Sequence, residues 1–149
     1  MIRKFNSQDL AVVMQIWLKT NIETHSFIPA AYWKNNFEEV KAALLHAEIY
    51  VAEVDGQIVG FIGLNQTIIE GIFVKKGMRS RGIGKQLLDY VKKIKPELQL
   101  EVYKENPRAI KFYEREQFIK IAEKVDELTD EKYYEMRWKN KQHKEVTQR

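Results

Sequence analysis

At 149 residues the chain has the length of one domain and is long enough to bury a core. Its 44% apolar and 31% charged residues suit a folded globule, no apolar run approaches the ~18 residues of a membrane helix, and the absence of cysteine excludes disulfides, thiol catalysis and Cys-based metal sites. Lysine and arginine number 25 against 21 acids, a net charge of +4, which invites a polyanionic partner unless the charge has a local address.

Taken in chain order, two periodicities alternate. Residues 2–5 read as a short strand. The N-terminal ten residues hold no apolar signal core, so we expect a cytoplasmic protein. Ser7 is a candidate N-cap, after which Leu10, Val13, Met14, Trp17 and Leu18 recur at helical spacing. Residues 25–29 break that pattern. A second helical region spans about residues 30–47, with Val40, Ala43 and Leu44 on one side. Residues 49–54 and 58–64 alternate as strands around Asp55-Gly56, a hairpin signal. Residues 67–74 form a third strand whose internal Gly71 predicts a bulge or a close backbone approach. Leu87, Leu88, Val91 and Ile94 mark a helix that Pro96 ends. In the strand 98–103, Leu98, Leu100 and Val102 share one face, and Gln99, Glu101 and Tyr103 the other. Asn106-Pro107 caps and opens the next helix. Strands 118–125 and 132–138 close the order β-α-α-β-β-β-α-β-α-β-β.

The positive charge is uneven. Residues 139–149 carry +3 and no periodic apolar face, as expected of a frayed, disordered basic tail. Residues 1–138 carry only +1, yet Lys75, Lys76, Arg79, Arg81 and Lys85 fall in an acid-free stretch from Gly71 to Leu88. A body so nearly neutral does not supply a nucleic-acid-binding face. Three histidines far apart argue against a metal site.

That basic stretch joins a strand to a helix through glycines. Backbone N–H groups and the helix dipole would converge there on one anion, a phosphate or pyrophosphate. It is not a Walker A loop, because Ile83-Gly84-Lys85-Gln86 lacks the Gly-Lys-Ser/Thr grip. A second stretch, residues 100–114, holds Glu101, Asn106 and Tyr113. Taken singly, Glu101 reads as a solvated strand residue, Asn106 as a helix cap and Tyr113 as a core aromatic.

Together the two stretches resemble the GNAT superfamily of acetyl-CoA-dependent N-acetyltransferases. Arg79-Ser80-Arg81-Gly82-Ile83-Gly84 resembles its Arg/Gln-x-x-Gly-x-Gly/Ala motif, and Asn106 to Glu114 resembles its Asn-x-x-Ala-x-x-Phe-Tyr-Glu segment. The family continues to Gly-Phe where this chain has Gln117-Phe118. The resemblance covers residues 1–138, a single domain. Residues 25–28 and Tyr32-Trp33 resemble a group of small bacterial enzymes, the YiaC and YjaB type, described as acetylating protein lysines.

The resemblance implies an α/β (α+β) GNAT fold: a mixed sheet of about seven strands, splayed in the middle, with about four helices. It implies acetyl-CoA as cosubstrate and no metal. The pyrophosphate would lie on Arg79, Ser80, Arg81, Gly82, Ile83, Gly84 and Lys85, and the pantetheine arm and acetyl carbonyl on the backbone of Ile72, Phe73 and Val74. Asn106 would also contact the arm. Tyr113 would protonate the departing thiolate. Glu101 stands twelve residues before it, the spacing of the base in relatives that acetylate ribosomal-protein N-termini; Glu70 and His25 are rival bases. His25, Phe27, Tyr32 and Trp33 would wall the acceptor side. The acceptor would be a primary amine, a protein lysine or N-terminus, with a polyamine or drug amine, or non-catalytic CoA binding, as alternatives. Neither a nucleic-acid nor a membrane partner is expected, and monomer and homodimer both stay open.

Overall fold

Alternation along the strands sends side chains into two separate cores. Ile49 and Val51 face one layer while their neighbours Tyr50 and Ala52 face the other. The computed structural model describes residues 1–79 and 81–141. Ser80 and residues 142–149, on which the expectation of a disordered tail mostly rests, lie outside the described residues.

The elements are β1 (Ile2–Lys4), a 3-10 turn (Ser7–Asp9), α1 (Leu10–Thr24), α2 (Ala30–Asn35), α3 (Phe37–Leu44), β2 (Glu48–Val54), β3 (Gln57–Asn65) and β4 (Ile68–Val74), then α4 (Ile83–Ile94), β5 (Glu97–Tyr103), α5 (Pro107–Arg115), β6 (Ile119–Val125) and β7 (Lys132–Lys139). The seven strands form one sheet in the order β1-β2-β3-β4-β5-β7-β6. All pairings are antiparallel except β4 with β5. Leu87, Leu88 and Val91 of α4, with Ile110 and Tyr113 of α5, pack on one face; Val13, Met14 and Trp17 of α1, with Trp33 of α2, cover the other.

Four expectations are corrected. The first cap is Asn6, not Ser7: its side chain accepts from Gln8 N–H while Asp9 accepts from the Asn6 N–H, a reciprocal capping box. The second helical region is two helices, α2 and α3, and not one. The break falls at Asn36, whose side-chain amide donates to the Tyr32 carbonyl at 2.7 Å and so competes with the helical ladder. Ala43 is exposed, although Val40 and Leu44 pack inward. The last strand takes in Lys139, so the ordered body extends past residue 138.

Candidate active site

The sheet opens where β4 and β5 meet. They pair only at Ile68–Gln99 and Ile69–Leu100 and then part. Beyond that point one edge of β4 has no strand partner, and Ile72, Phe73 and Val74 keep only their pairing with β3. A register shift opposite Gly63/Leu64 bends β4 at Glu70. A Cβ at Gly71 would lie 2.4 Å from the Phe73 ring, so any side chain there would have to displace that ring. The splay thus follows from a bulge and a glycine that the sequence places inside the strand.

At the far end of β4, Gly82 caps α4 with φ +78°, a left-handed conformation glycine adopts freely. No side chain of the described residues caps this helix. The first intrahelical bond comes from Gln86 N–H to the Gly82 carbonyl, so the N–H groups of Ile83, Gly84 and Lys85 have no helical acceptor. They make, with the helix dipole, a site for an anion. The cations around it are unequal. Arg79 donates to the Val74 carbonyl at 3.3 Å and stands 3.8 Å from Glu23, and Lys85 pairs with Glu116 at 3.1 Å and Asp89 at 3.4 Å. Lys75, Lys76 and Arg81 are exposed and make no ion pair among the described residues.

A cleft of about 1250 Å³ runs from this helix start along the parted strands. Its lining brings together Ile72, Phe73, Val74, Arg79, Gly82, Ile83, Gly84, Lys85, Glu70, Glu101, Asn106 and Tyr113, with His25 and Trp33 at the other wall. Arg81 and Phe27 do not line it. Phe27 instead backs His25 and Tyr103, with ring centroids 5.6 and 5.5 Å away. Ser80 lies outside the described residues.

Tyr113 is buried between Phe112 and Phe118, and its hydroxyl has no hydrogen-bond partner among the described residues. Burial raises its pKa well above the ordinary phenol value, so the proton stays on. Glu101 sits opposite Glu135 across the β5–β7 ladder. Partial burial, then the Glu135 charge, holds its carboxyl above the ordinary glutamate value, against a hydrogen bond from Tyr133. Asn106 caps α5, its carbonyl oxygen accepting from Ala109 N–H at 3.2 Å, with Pro107 in the first turn.

Several residues on the wall opposite the helix start were not singled out in the sequence. Asn21 is 96% buried on α1 and contacts His25. Tyr103 packs against His25 with ring centroids 5.1 Å apart and lines the cleft. Asp126, just past the end of β6, and Tyr133 of β7 also line it. The only sequence signal was Tyr103 sharing a strand face with Glu101; the others arrive through long-range packing. His25 itself is held neutral, burial pushing its imidazole down to about 4. The indole N–H of Trp33 is buried without a partner among the described residues. No helix among the described residues is long and apolar enough to cross a membrane.

Three features fit a CoA thioester: open N–H groups at a cationic helix start, an unpaired strand edge leading away from it, and a tyrosine with an unpartnered hydroxyl in the lining of the same cleft. Residues 46–120 match the model of the acetyltransferase (GNAT) domain. The chain is 37% identical to the peptidyl-lysine N-acetyltransferase YiaC of Escherichia coli (strain K12), over 79% of this chain and 82% of that one. Its fold matches the apo-form solution structure of Escherichia coli YjaB with a TM-score of 0.82 at 26% identity, covering 93% and 96% of the two chains. A streptothricin acetyltransferase homologue from Bacillus anthracis, solved with acetyl-CoA, matches at 29% identity and a TM-score of 0.58 over 63% and 62% of the chains. The splayed sheet, the glycine-capped helix and these likenesses make one statement: the chain belongs to the GNAT acetyltransferase family.

Proposed function

We propose that the protein moves an acetyl group from acetyl-CoA directly to the side-chain amine of a protein lysine, in the cytoplasm. The observation that carries this reading is the parting of β4 and β5, in one cleft with an open, positively polarised helix start and Tyr113. The peptidyl-lysine activity of the YiaC relative supports the acceptor.

When bound, acetyl-CoA supplies a thioester whose carbonyl carbon an amine can attack. The N–H groups at 83–85 and the basic side chains hold the phosphates, and the free edge of Ile72–Val74 lies along the arm. A lysine amine at pH 7 is only ~0.04% neutral, so freeing it costs about 4.6 kcal/mol. Glu101 accepts that proton, directly or through water, and its raised pKa makes it a better acceptor than a free glutamate. His25 is the weaker rival, since burial lowers its basicity. Tyr113 donates to the departing sulfur. A thiol has a pKa of about 8.5, so full transfer from a buried tyrosine ahead of bond breaking is uphill; the hydroxyl acts first as a hydrogen bond that stabilises the developing thiolate.

An acceptor screen with acetyl-CoA, read as free thiol, tests the reading. A lysine peptide blocked at its N-terminus should turn over faster than a lysine-free peptide with a free N-terminus or a polyamine. Preference for the polyamine overturns the protein acceptor, and no thiol release with any amine overturns the activity.

A further inference from the structure

One chain of hydrogen bonds crosses the cleft and joins its two walls. The Asn21 side-chain amide donates to the Trp17 carbonyl at 3.0 Å, which leaves the Asn21 oxygen as an acceptor. That oxygen lies 3.0 Å from His25 Nδ1. The Nδ1 atom must therefore carry the ring proton, and Nε2 of the neutral ring is a bare lone pair. At the other wall, the Asn106 oxygen accepts from Ala109 N–H, so its amide nitrogen can only donate. This nitrogen faces His25 Nε2 at 3.5 Å, across 81 residues of sequence.

Both asparagine amides are pinned by backbone partners, and the two together settle the histidine tautomer. Flipping any member sets donor against donor or acceptor against acceptor. All four donations run the same way, from the start of α5 to α1, an arrangement in which each bond polarises the next. The final link is long, as such contacts often are before a ligand closes a site. Phe27, Trp33 and Tyr103 pack around the ring with centroids 5.1 to 5.6 Å away and hold its plane.

We propose that Asn21 and His25 are positioning residues that hold the Asn106 amide towards the acetyl-CoA arm and tie the acceptor wall to the donor wall. This rests on the acetyl-CoA reading above. In this role neither residue needs to touch the reacting atoms; both act through Asn106.

Two measurements test it. The first needs no ligand: nitrogen-15 NMR of the histidine rings at pH 7 should show His25 neutral with its proton on Nδ1. A proton on Nε2, or a charged ring, overturns the proposal. The second is a double-mutant cycle on acetyl-CoA affinity by calorimetry. His25→Phe keeps a ring in the aromatic box and removes both nitrogens. It should weaken acetyl-CoA about tenfold, Asn106→Ala should do at least as much, and the double variant should be no worse than Asn106→Ala alone. His25→Gln, which restores an acceptor, should recover part of the loss. Wild-type affinity in His25→Phe, or losses that multiply in the double variant, overturns the proposal. If the wild type binds no acetyl-CoA, it is the functional reading that fails, and the ring tautomer still decides the Asn21–His25–Asn106 link.

Discussion

The two walls of the cleft are built from different materials. The donor wall is mostly backbone: three N–H groups at the start of α4 and the unpartnered edge of β4, shaped by Gly71 and Gly82. The acceptor wall is mostly side chain: His25, Trp33, Tyr103 and Asn21, assembled from α1, α2 and β5. On the proposed reading, a wall of backbone groups would recognise what every CoA thioester shares. A wall of side chains can change its substrate by changing residues, with the sheet left as it is. The difference separates what belongs to the fold from what belongs to this chain.

The comparison breaks most visibly where the walls meet. Tyr113→Phe removes a hydroxyl that has no hydrogen-bond partner among the described residues and keeps the packed ring. It should lower kcat by about 10²–10⁴, the range for one acid–base group, with acetyl-CoA affinity and melting temperature nearly unchanged. An unchanged kcat removes Tyr113 from the reaction. Glu101→Gln should lower kcat by about 10². Glu101 works as a base only when ionised, so kcat/KM should rise with pH through an acid limb displaced above the ordinary value of about 4.3, and that limb should vanish in the variant. A limb that survives assigns the base to another group, with Glu70 next in line.

The donor wall answers to backbone changes. Gly82→Val places a β-branched residue at φ +78° and points a Cβ into the open space above the helix start. Strain of about 2–3 kcal/mol corresponds to a loss of up to about 100-fold in acetyl-CoA affinity, measurable by calorimetry. The smallest effect is structural: Asn106→Ala loses the α5 cap, about 1 kcal/mol, seen as a fall of a few degrees in melting temperature.

The same division explains what could be read from the sequence. The donor wall was legible because backbone geometry is written locally: Gly71 marks the bend, Gly82 the cap, and Asn106-Pro107 the start of α5. Its charge was less legible. Lys85 and Arg79 belong to an acid-free stretch, yet Glu116, Asp89 and Glu23 reach them from α5, from further along α4 and from α1. The acceptor wall was half legible. His25 and Trp33 stand out as residue types, but nothing in the sequence says that Asn21 orients His25, or that Phe27 packs behind the wall instead of lining it. Contacts such as His25 with Asn106 have no local signature, because only the folded sheet brings them together.

Direct transfer between the two walls is the central claim, and mass spectrometry tests it most directly. The protein would be mixed with acetyl-CoA and an N-terminally blocked lysine peptide, and both polypeptides weighed at short times. The account predicts acetyl groups on the peptide lysine, appearing as thiol is released, with the protein itself unmodified throughout. An acetylated protein that forms first and passes its acetyl group to the peptide would contradict it.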